Sequence, residues 1–411
     1  MTQRTGSANL PLHGGRVPAW LATRMAALGR VIAEAIVHHY GRHEFLRRLA
    51  DPFWFQSFGA VMGMDWHSSG ITTSVIGALK RGLAPVQDEL GIFVCGGRGA
   101  QSRRTPAELL AMGEATGLNA TPLVRTSRLV AKIDSALVQD GYELYLHGFF
   151  VTLEGEWCVV QQGMNPVQRE ARRYHWASDM VAGFFDAPHS AIEGRNAGPI
   201  INLTDPGAAA SRLAGLELVR QGPHCLVEVL RRVGNPLPHT PDLFVADPPP
   251  APLSGARHLR LPAHHDVRAA DVDLKRLHAT LAAAADRGPR DFAELLLLPG
   301  IGARTVAAVA FVAEILHGAP YRFRDPARFA LAHGGKDGHP FPVPLKVYDE
   351  TITVLKRAVS NAKLGRSETL EAIRRLDEHA RRVDHVVAGP SLAHYVATEV
   401  AHSATYGGRT V

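Results

Sequence analysis

The residues with the most chemical reach lie between positions 132 and 176. Lys132 and Asp134 fall on a segment of helical spacing, residues 127–139, which Gln139-Asp140 closes. Glu143, Tyr145 and His147 follow, two apart, on a run that reads as a strand, so all three are expected on one face. Gln161 lies on the next run, ahead of Gln162, Asn165 and Arg172-Arg173-Tyr174-His175-Trp176. Carboxylates beside imidazole and amide groups can cage a hard divalent ion, manganese or magnesium. Such an ion activates water and neutralises charge on a transferring phosphoryl group. Asp134, Asp140 and His147 are candidate ligands, and Gln161 is a candidate for positioning water. Lys132, Arg173 and His175 are candidate electrostatic or acid–base partners. Arg172 and Arg173 suit a substrate phosphate, and Tyr174 or Trp176 a stacked base. The solvated outer face of a hairpin would carry the same residue types.

A second polar concentration is Asp65-Trp66-His67-Ser68-Ser69-Gly70, between two apolar stretches. Asp65 and His67 there are secondary metal or phosphate candidates; the alternative is an elaborate helix cap. Gly96-Gly97-Arg98-Gly99 follows a short apolar run, but lacks the order of a nucleotide-binding loop. His264-His265-Asp266 lies in an Arg-rich stretch that reads as solvated.

Residues 291–316 read DFAELLLLPGIGARTVAAVAFVAEIL. An apolar helix ends in Leu298-Pro299, Gly300-Ile301-Gly302 makes a tight turn, and a small-residue helix begins near Ala303. Two glycines let the backbone turn sharply and approach a phosphate without obstruction by Cβ. The open N–H groups of the turn and the new helix then point at the anion, with the helix dipole behind them. Ile301 is expected to plug the seam between the helices, and Arg304 and Thr305 to reach the same phosphate. This stretch resembles the helix-hairpin-helix motif of DNA repair and recombination proteins. The resemblance implies contacts with a DNA backbone that read no sequence. In the glycosylases of that superfamily an aspartate follows the motif by about twenty residues, a place Asp325 approximates here. Their lyase branch carries a nucleophilic lysine in the turn, where this chain has Arg304, which cannot form a Schiff base. Lys336, in the polar loop His333-Gly334-Gly335-Lys336-Asp337-Gly338-His339, is a further candidate for contact with DNA.

The elements that must carry these residues are legible in outline. Residues 17–28 and 31–49 have helical spacing, and Asp51-Pro52 opens another helix over 51–64. A helix is expected over 72–81, a strand over 91–95, and a helix over 105–113 with Glu108 completing a capping box. Residues 141–152 and 156–162 form a hairpin through Leu153-Glu154-Gly155. From there to about residue 237 the chain reads as helical and basic. Residues 245–255, with their proline run, are the best linker, and beyond them the pattern is almost wholly α. The fold class is α+β: a mixed catalytic domain over 1–240, a linker over 241–275, and a helical domain over 276–411.

Composition sets the outer bounds. The chain has 411 residues, 46% hydrophobic and 20% charged, which excludes a fibre or wholesale disorder. No apolar run reaches the roughly 18 residues that span a bilayer. The N-terminus lacks the apolar core of a signal peptide, so a cytoplasmic protein is expected. Cys95, Cys158 and Cys225 are isolated and suggest neither disulfides nor a zinc site. A net charge of +6 permits a nucleic-acid partner without requiring one.

Segments along most of the chain carry a second resemblance: residues 10–15 (LPLHGG), 51–56 (DPFWFQ), 65–70 (DWHSSG), 159–165 (VVQQGMN), 173–176 (RYHW) and 333–339 (HGGKDGH). Together they resemble a domain-of-unknown-function family of archaea and bacteria with a helix-hairpin-helix in its C-terminal part. The resemblance implies that function resides in these segments and transfers no catalytic residue. The expectation from the whole sequence is a DNA-processing enzyme of repair or recombination, a metal-dependent nuclease. The alternatives are a non-enzymatic DNA-binding accessory protein, which would recruit a repair partner, and a monofunctional glycosylase.

Overall fold

The computed structural model describes residues 10–11, 19–62, 69–181, 183–234 and 274–327, with isolated positions 353, 356, 357 and 360. In chain order the first elements are β1 (Leu10–Pro11), α1 (Ala19–Ala50), α2 (Pro52–Val61), α3 (Gly70–Leu83), α4 (Gln87–Leu90) and β2 (Ile92–Arg98). The expected break near residue 29 is absent; α1 kinks instead at Gly41, whose φ of 88° is open to glycine alone among common residues. Asp51 caps α2 as expected, accepting from the Trp54 amide at 2.8 Å, with Pro52 in the first turn.

Next come α5 (Thr105–Thr116), α6 (Thr121–Lys132), a π-helical turn (Ile133–Leu137), β3 (Val138–Gln139), β4 (Glu143–Thr152) and β5 (Trp157–Asn165). The hairpin β4–β5 lies where alternation put it. The capping box at Glu108 does not form: its carboxylate takes the Lys80 ammonium at 2.7 Å and the Gly96 amide at 2.7 Å. The Gly96-Gly97 backbone is thus held from within, at the mouth of β2.

The region expected to be a basic helix contains three more strands, β6 (Glu170–Ala177), β7 (Ala191–Glu193) and β8 (Pro199–Asn202). Helices α7 (Ala209–Arg220), α8 (Pro223–Gly234), α9 (Leu274–Arg287), α10 (Phe292–Leu297) and α11 (Ala303–His317) follow, then β9 (Arg322–Arg324). The fold is α+β. An antiparallel sheet runs β1-β6-β5-β4-β2, with β7 beside β6, and a small sheet runs β3-β8-β9.

Strand alternation gives the main sheet two buried faces. Val94, Phe150, Cys158 and Val160 pack on one side with α1, α2 and α3. Phe93, Phe149, Val151, Val159 and Trp176 face the other, with α5, α6 and the later helices. That second core continues through Leu277, Leu296, Ile301 and Val312. The described part of the C-terminal segment therefore shares a core with the sheet, and β9 pairs with β8, so it is not a detached module. No described helix is long and apolar enough to cross a membrane.

One irregularity sets the site. The register of β4 on β5 shifts between Leu144 and Leu146, so Tyr145 is an extra residue. Tyr145 and His147 consequently do not share a face. The Tyr145 hydroxyl meets Gln162, while His147 stands opposite Gln161 on the side of α6.

Candidate active cleft between the sheet and helix α6

Four polar side chains meet where α6 crosses β4 and β5. His147 Nδ1 lies 2.7 Å from Gln161 Oε1, and Gln161 Nε2 donates to Asp134 Oδ2 at 2.5 Å. On the other side of the imidazole, Ser127 Oγ lies 3.0 Å from His147 Nε2. The π-helical turn after α6 brings Asp134 inward, because the wider turn moves side chains off the α-helical register. Asp134 also accepts from Trp176 Nε1 at 3.0 Å and from His189 Nε2 at 2.5 Å. All six polar members of this line have a partner, as buried polar groups must.

The proton positions follow from the acceptors. Gln161 Nε2 faces two acceptors, Asp134 Oδ2 and the Val130 carbonyl at 3.3 Å, so it is the amide nitrogen and Oε1 faces His147. His147 Nδ1 must then carry the hydrogen, which leaves Nε2 bare to accept from the Ser127 hydroxyl. Burial holds the His147 pKa below its usual range, partly opposed by Gln161 and by the charge of Asp134. A neutral imidazole with a bare Nε2 is the form that takes up a proton.

Ser127, His147 and Gln161 form part of the wall of a cleft of about 360 Å³. The rest of its lining includes Arg103, Arg128, Lys132, Ser102, Ser135 and Leu297, and among the described residues no carboxylate. Arg103 and Arg128 are exposed and make no ion pair among the described residues. The cleft is thus a basic hollow with a proton acceptor in its wall, suited to an anionic substrate.

Lys132 joins the cleft to the glycine turn. Its ammonium donates to the Ile301 carbonyl at 2.5 Å, and Gln139 Nε2 donates to the Ala303 carbonyl at 2.8 Å. Burial lowers the Lys132 pKa. In the turn, Ile301 is buried as the expected plug, Gly300 has φ 84°, and Gly302 opens α11 with no side-chain cap. Gly300 and Arg304 are exposed, and a Cβ on Gly302 would meet nothing within 4 Å. Thr305 Oγ1 turns back to the Gly300 carbonyl at 3.3 Å. Among the described residues the corner is open rather than sealed.

The other expected site residues go elsewhere. Asp140 accepts from Arg172 at 2.8 Å and from the Tyr174 hydroxyl at 2.6 Å. Arg172 also pairs in two-pronged fashion with Asp325, at 2.9 and 2.7 Å. These side chains are fully buried. Despite its burial, Arg172 is held firmly charged by Asp140 and Asp325. Arg173 pairs with Glu193 and with Gln56 on the opposite face of the sheet. His175, beside them, donates from Nδ1 to the Leu49 carbonyl, and burial followed by Arg173 lowers its pKa well below the usual range. Arg172 and Arg173 therefore hold protein carboxylates and not a substrate phosphate, and the buried rings of Tyr174 and Trp176 are closed to a base.

The described members of the expected metal set, Asp134, Asp140 and His147, are not gathered. Asp140 belongs to the Arg172 cluster, and Asp134 and His147 meet only through Gln161. Among the described residues no group of three or more His, Cys, Asp or Glu could hold an ion. Asp325 spends both oxygens on Arg172 and on the Ala197 and Ala327 amides, the position opposite to that of a glycosylase base. Asp65, His67, Lys336, His264, His265 and Asp266 lie outside the described residues.

Sequence reasoning passed over Ser127, His189, Arg103 and Arg128. Ser127 had a signal: it occupies the apolar stripe of α6 with Leu123, Val124 and Val130, where a hydroxyl needs a partner. His189 had none, since it lies in an irregular stretch far from Asp134 in sequence.

A family model described as a protein of unknown function (DUF763) matches residues 6–343. No curated protein and no solved structure matches the chain.

Proposed function

The chain belongs to the DUF763 family, and because that family carries no function, we propose one from the chain's own residues: an enzyme that binds DNA by its backbone and cleaves phosphodiester bonds in the cleft beside α6. The observation that carries this reading is the continuity of cleft and corner. Arg103, Arg128 and Lys132 line the hollow, and Lys132 touches the Ile301 carbonyl inside the open turn that begins α11. A strand laid along this path meets guanidinium groups, an ammonium and uncapped main-chain amides in succession. Each suits a phosphate and none distinguishes a base. His147 supplies proton transfer at the point where the strand crosses the cleft.

Among the described residues of the cleft a divalent ion has no open donor set. Asp134 accepts from Gln161, Trp176 and His189, and Asp140 from Arg172 and Tyr174. The reading therefore assigns the chemistry to side chains and the charge stabilisation to the basic lining.

The experiment is cleavage of end-labelled single- and double-stranded DNA by wild-type protein and by His147→Gln. The reading expects chain scission by the wild type and loss of about 100-fold or more in a variant of unchanged fold. Intact DNA with the wild type overturns the enzymatic reading. Binding without scission would favour an accessory protein acting through the exposed Gly300–Arg304 corner.

A further inference from the structure

We propose that Ser127 is the nucleophile of this cleft and that cleavage passes through a phosphoester on its Oγ. The inference takes its substrate from the phosphodiester reading above, but its geometry stands apart from it. A serine becomes nucleophilic when a neighbouring base accepts its proton and a third group orients that base. Here the base is His147, 3.0 Å from Ser127 Oγ, and the orienting group is Gln161, 2.7 Å from the other ring nitrogen. Gln161 is itself held by Asp134, which Trp176 and His189 fix from two further directions.

The direction of every hydrogen along this line is determined by its far end. Asp134 can only accept. It therefore turns the Gln161 amide nitrogen toward itself, the amide oxygen toward Nδ1, and the bare Nε2 toward Ser127. The arrangement resembles a nucleophile–histidine–acid line with a neutral amide inserted before the acid. The insertion has a consequence. The carboxylate charge acts on the imidazolium from one residue further away, so the imidazole stays a weak base in the resting protein.

Ser127 and His147 both face the cleft, although each is mostly covered. Burial of this kind excludes bulk water from the nucleophile while leaving one side open to substrate. Arg103, Arg128 and Lys132 in the same lining face the negative oxygens that gather at phosphorus.

The step balances without a further reactant. Ser127 Oγ uses a lone pair to bond phosphorus as its proton passes to His147 Nε2. The bond from phosphorus to the leaving sugar oxygen breaks, and that oxygen keeps the pair and takes the proton back from Nε2 as a hydroxyl. Water then attacks phosphorus and gives its proton to Nε2. The Oγ–phosphorus bond breaks, and Oγ takes that proton, which restores serine and leaves a terminal phosphate on the strand.

Diisopropyl fluorophosphate tests the nucleophile independently of DNA, because fluoride is its leaving group and an activated serine its target. Full-length protein is treated with the reagent, and the adduct is located by peptide mass. The expected result is a single adduct on Ser127, absent in Ser127→Ala. In His147→Gln it should form about 100-fold more slowly. The rate should rise with pH to a plateau whose midpoint lies below 6.5, the ordinary value for histidine. Thermal melts of both variants establish that they fold. No adduct on Ser127 in folded wild-type protein, or equal rates in wild type and His147→Gln, overturns the assignment. DNA scission that persists in Ser127→Ala overturns it as well. An adduct on Ser127 in a protein that leaves DNA intact instead overturns the phosphodiester reading and keeps the nucleophile.

Discussion

The ammonium of Lys132 donates to the main-chain carbonyl of Ile301, 2.5 Å away and 169 positions further along the chain. One end of this bond lies in the wall of the basic cleft, the other inside the turn between α10 and α11. The turn cannot shift without moving the cleft wall. Replacement by methionine keeps most of the aliphatic stem and removes the donor. Lys132→Met should lower unfolding free energy by about 1 kcal/mol in urea titrations. It should also weaken DNA binding more than its single charge accounts for, because the turn loses its anchor. Unchanged stability would show that the bond contributes nothing net.

The two glycines of the turn should separate folding from binding. Gly300 has φ 84°, and a Cβ there would stand 2.9 Å from Thr280 Cγ2. Gly300→Ala should cost about 1–2 kcal/mol for the left-handed backbone alone. Gly302 is extended, with φ −133°, and has open space around it. Gly302→Ala should melt within about 0.5 kcal/mol of wild type while its methyl group obstructs a phosphate at the first amides of α11. Melting curves paired with fluorescence anisotropy on a DNA duplex read both effects. Wild-type affinity in Gly302→Ala would remove the turn from the DNA path.

His147 should leave a mark on stability against pH. Its pKa is lowered by burial from an ordinary 6.5. Below pH 6.5 the unfolded chain binds a proton that the folded one does not, so acidification favours unfolding until the folded pKa is reached. The lost stability is present above 6.5 and declines below it. His147→Gln lacks this proton, so the difference in unfolding free energy between wild type and variant should shrink as pH falls from 6.5. A difference that is constant with pH would mean that His147 titrates alike in both states.

Asp325 should prove structural. Its carboxylate and that of Asp140 enclose the buried Arg172 guanidinium. Removing one partner leaves buried charge without its full complement, at a cost of about 3 kcal/mol. Asp325→Ala should show that loss in denaturant titration. A variant as stable as wild type would contradict the role assigned to this pair.

These tests fall on residues that differ in how far the sequence exposed them. The β4–β5 hairpin was legible because both strands alternate and meet at Gly155, and α2 because Asp51-Pro52 marks its start. The turn at Gly300 was legible because two glycines flank one apolar residue. Strand β6 was not. Arg172 and Arg173 give it the look of a solvated basic helix, yet both are buried. Their burial depends on Asp140, Asp325 and Glu193, and Asp325 is 153 positions away. No local pattern contains that information. Asp134, His147, Gln161 and Lys132 were legible as polar residues near a hairpin; the structure brings Lys132, His147 and Gln161 to one cleft, with Asp134 buried behind Gln161. Their relation was not, because the bulge at Tyr145 and the π-helical turn at Asp134 decide which side chains meet.

The central claim is that the hollow beside α6 and the adjoining turn carry a DNA backbone. Its most direct measurement is duplex affinity over a salt series, for wild type and for the double variant Arg103→Ala/Arg128→Ala. Each phosphate contact releases counterions, so the wild-type plot of log affinity against log salt should fall steeply. The double variant should bind more weakly, with a slope shallower by about 2, and melt like wild type. A wild type with no affinity for DNA, or a double variant with an unchanged slope, would contradict the claim.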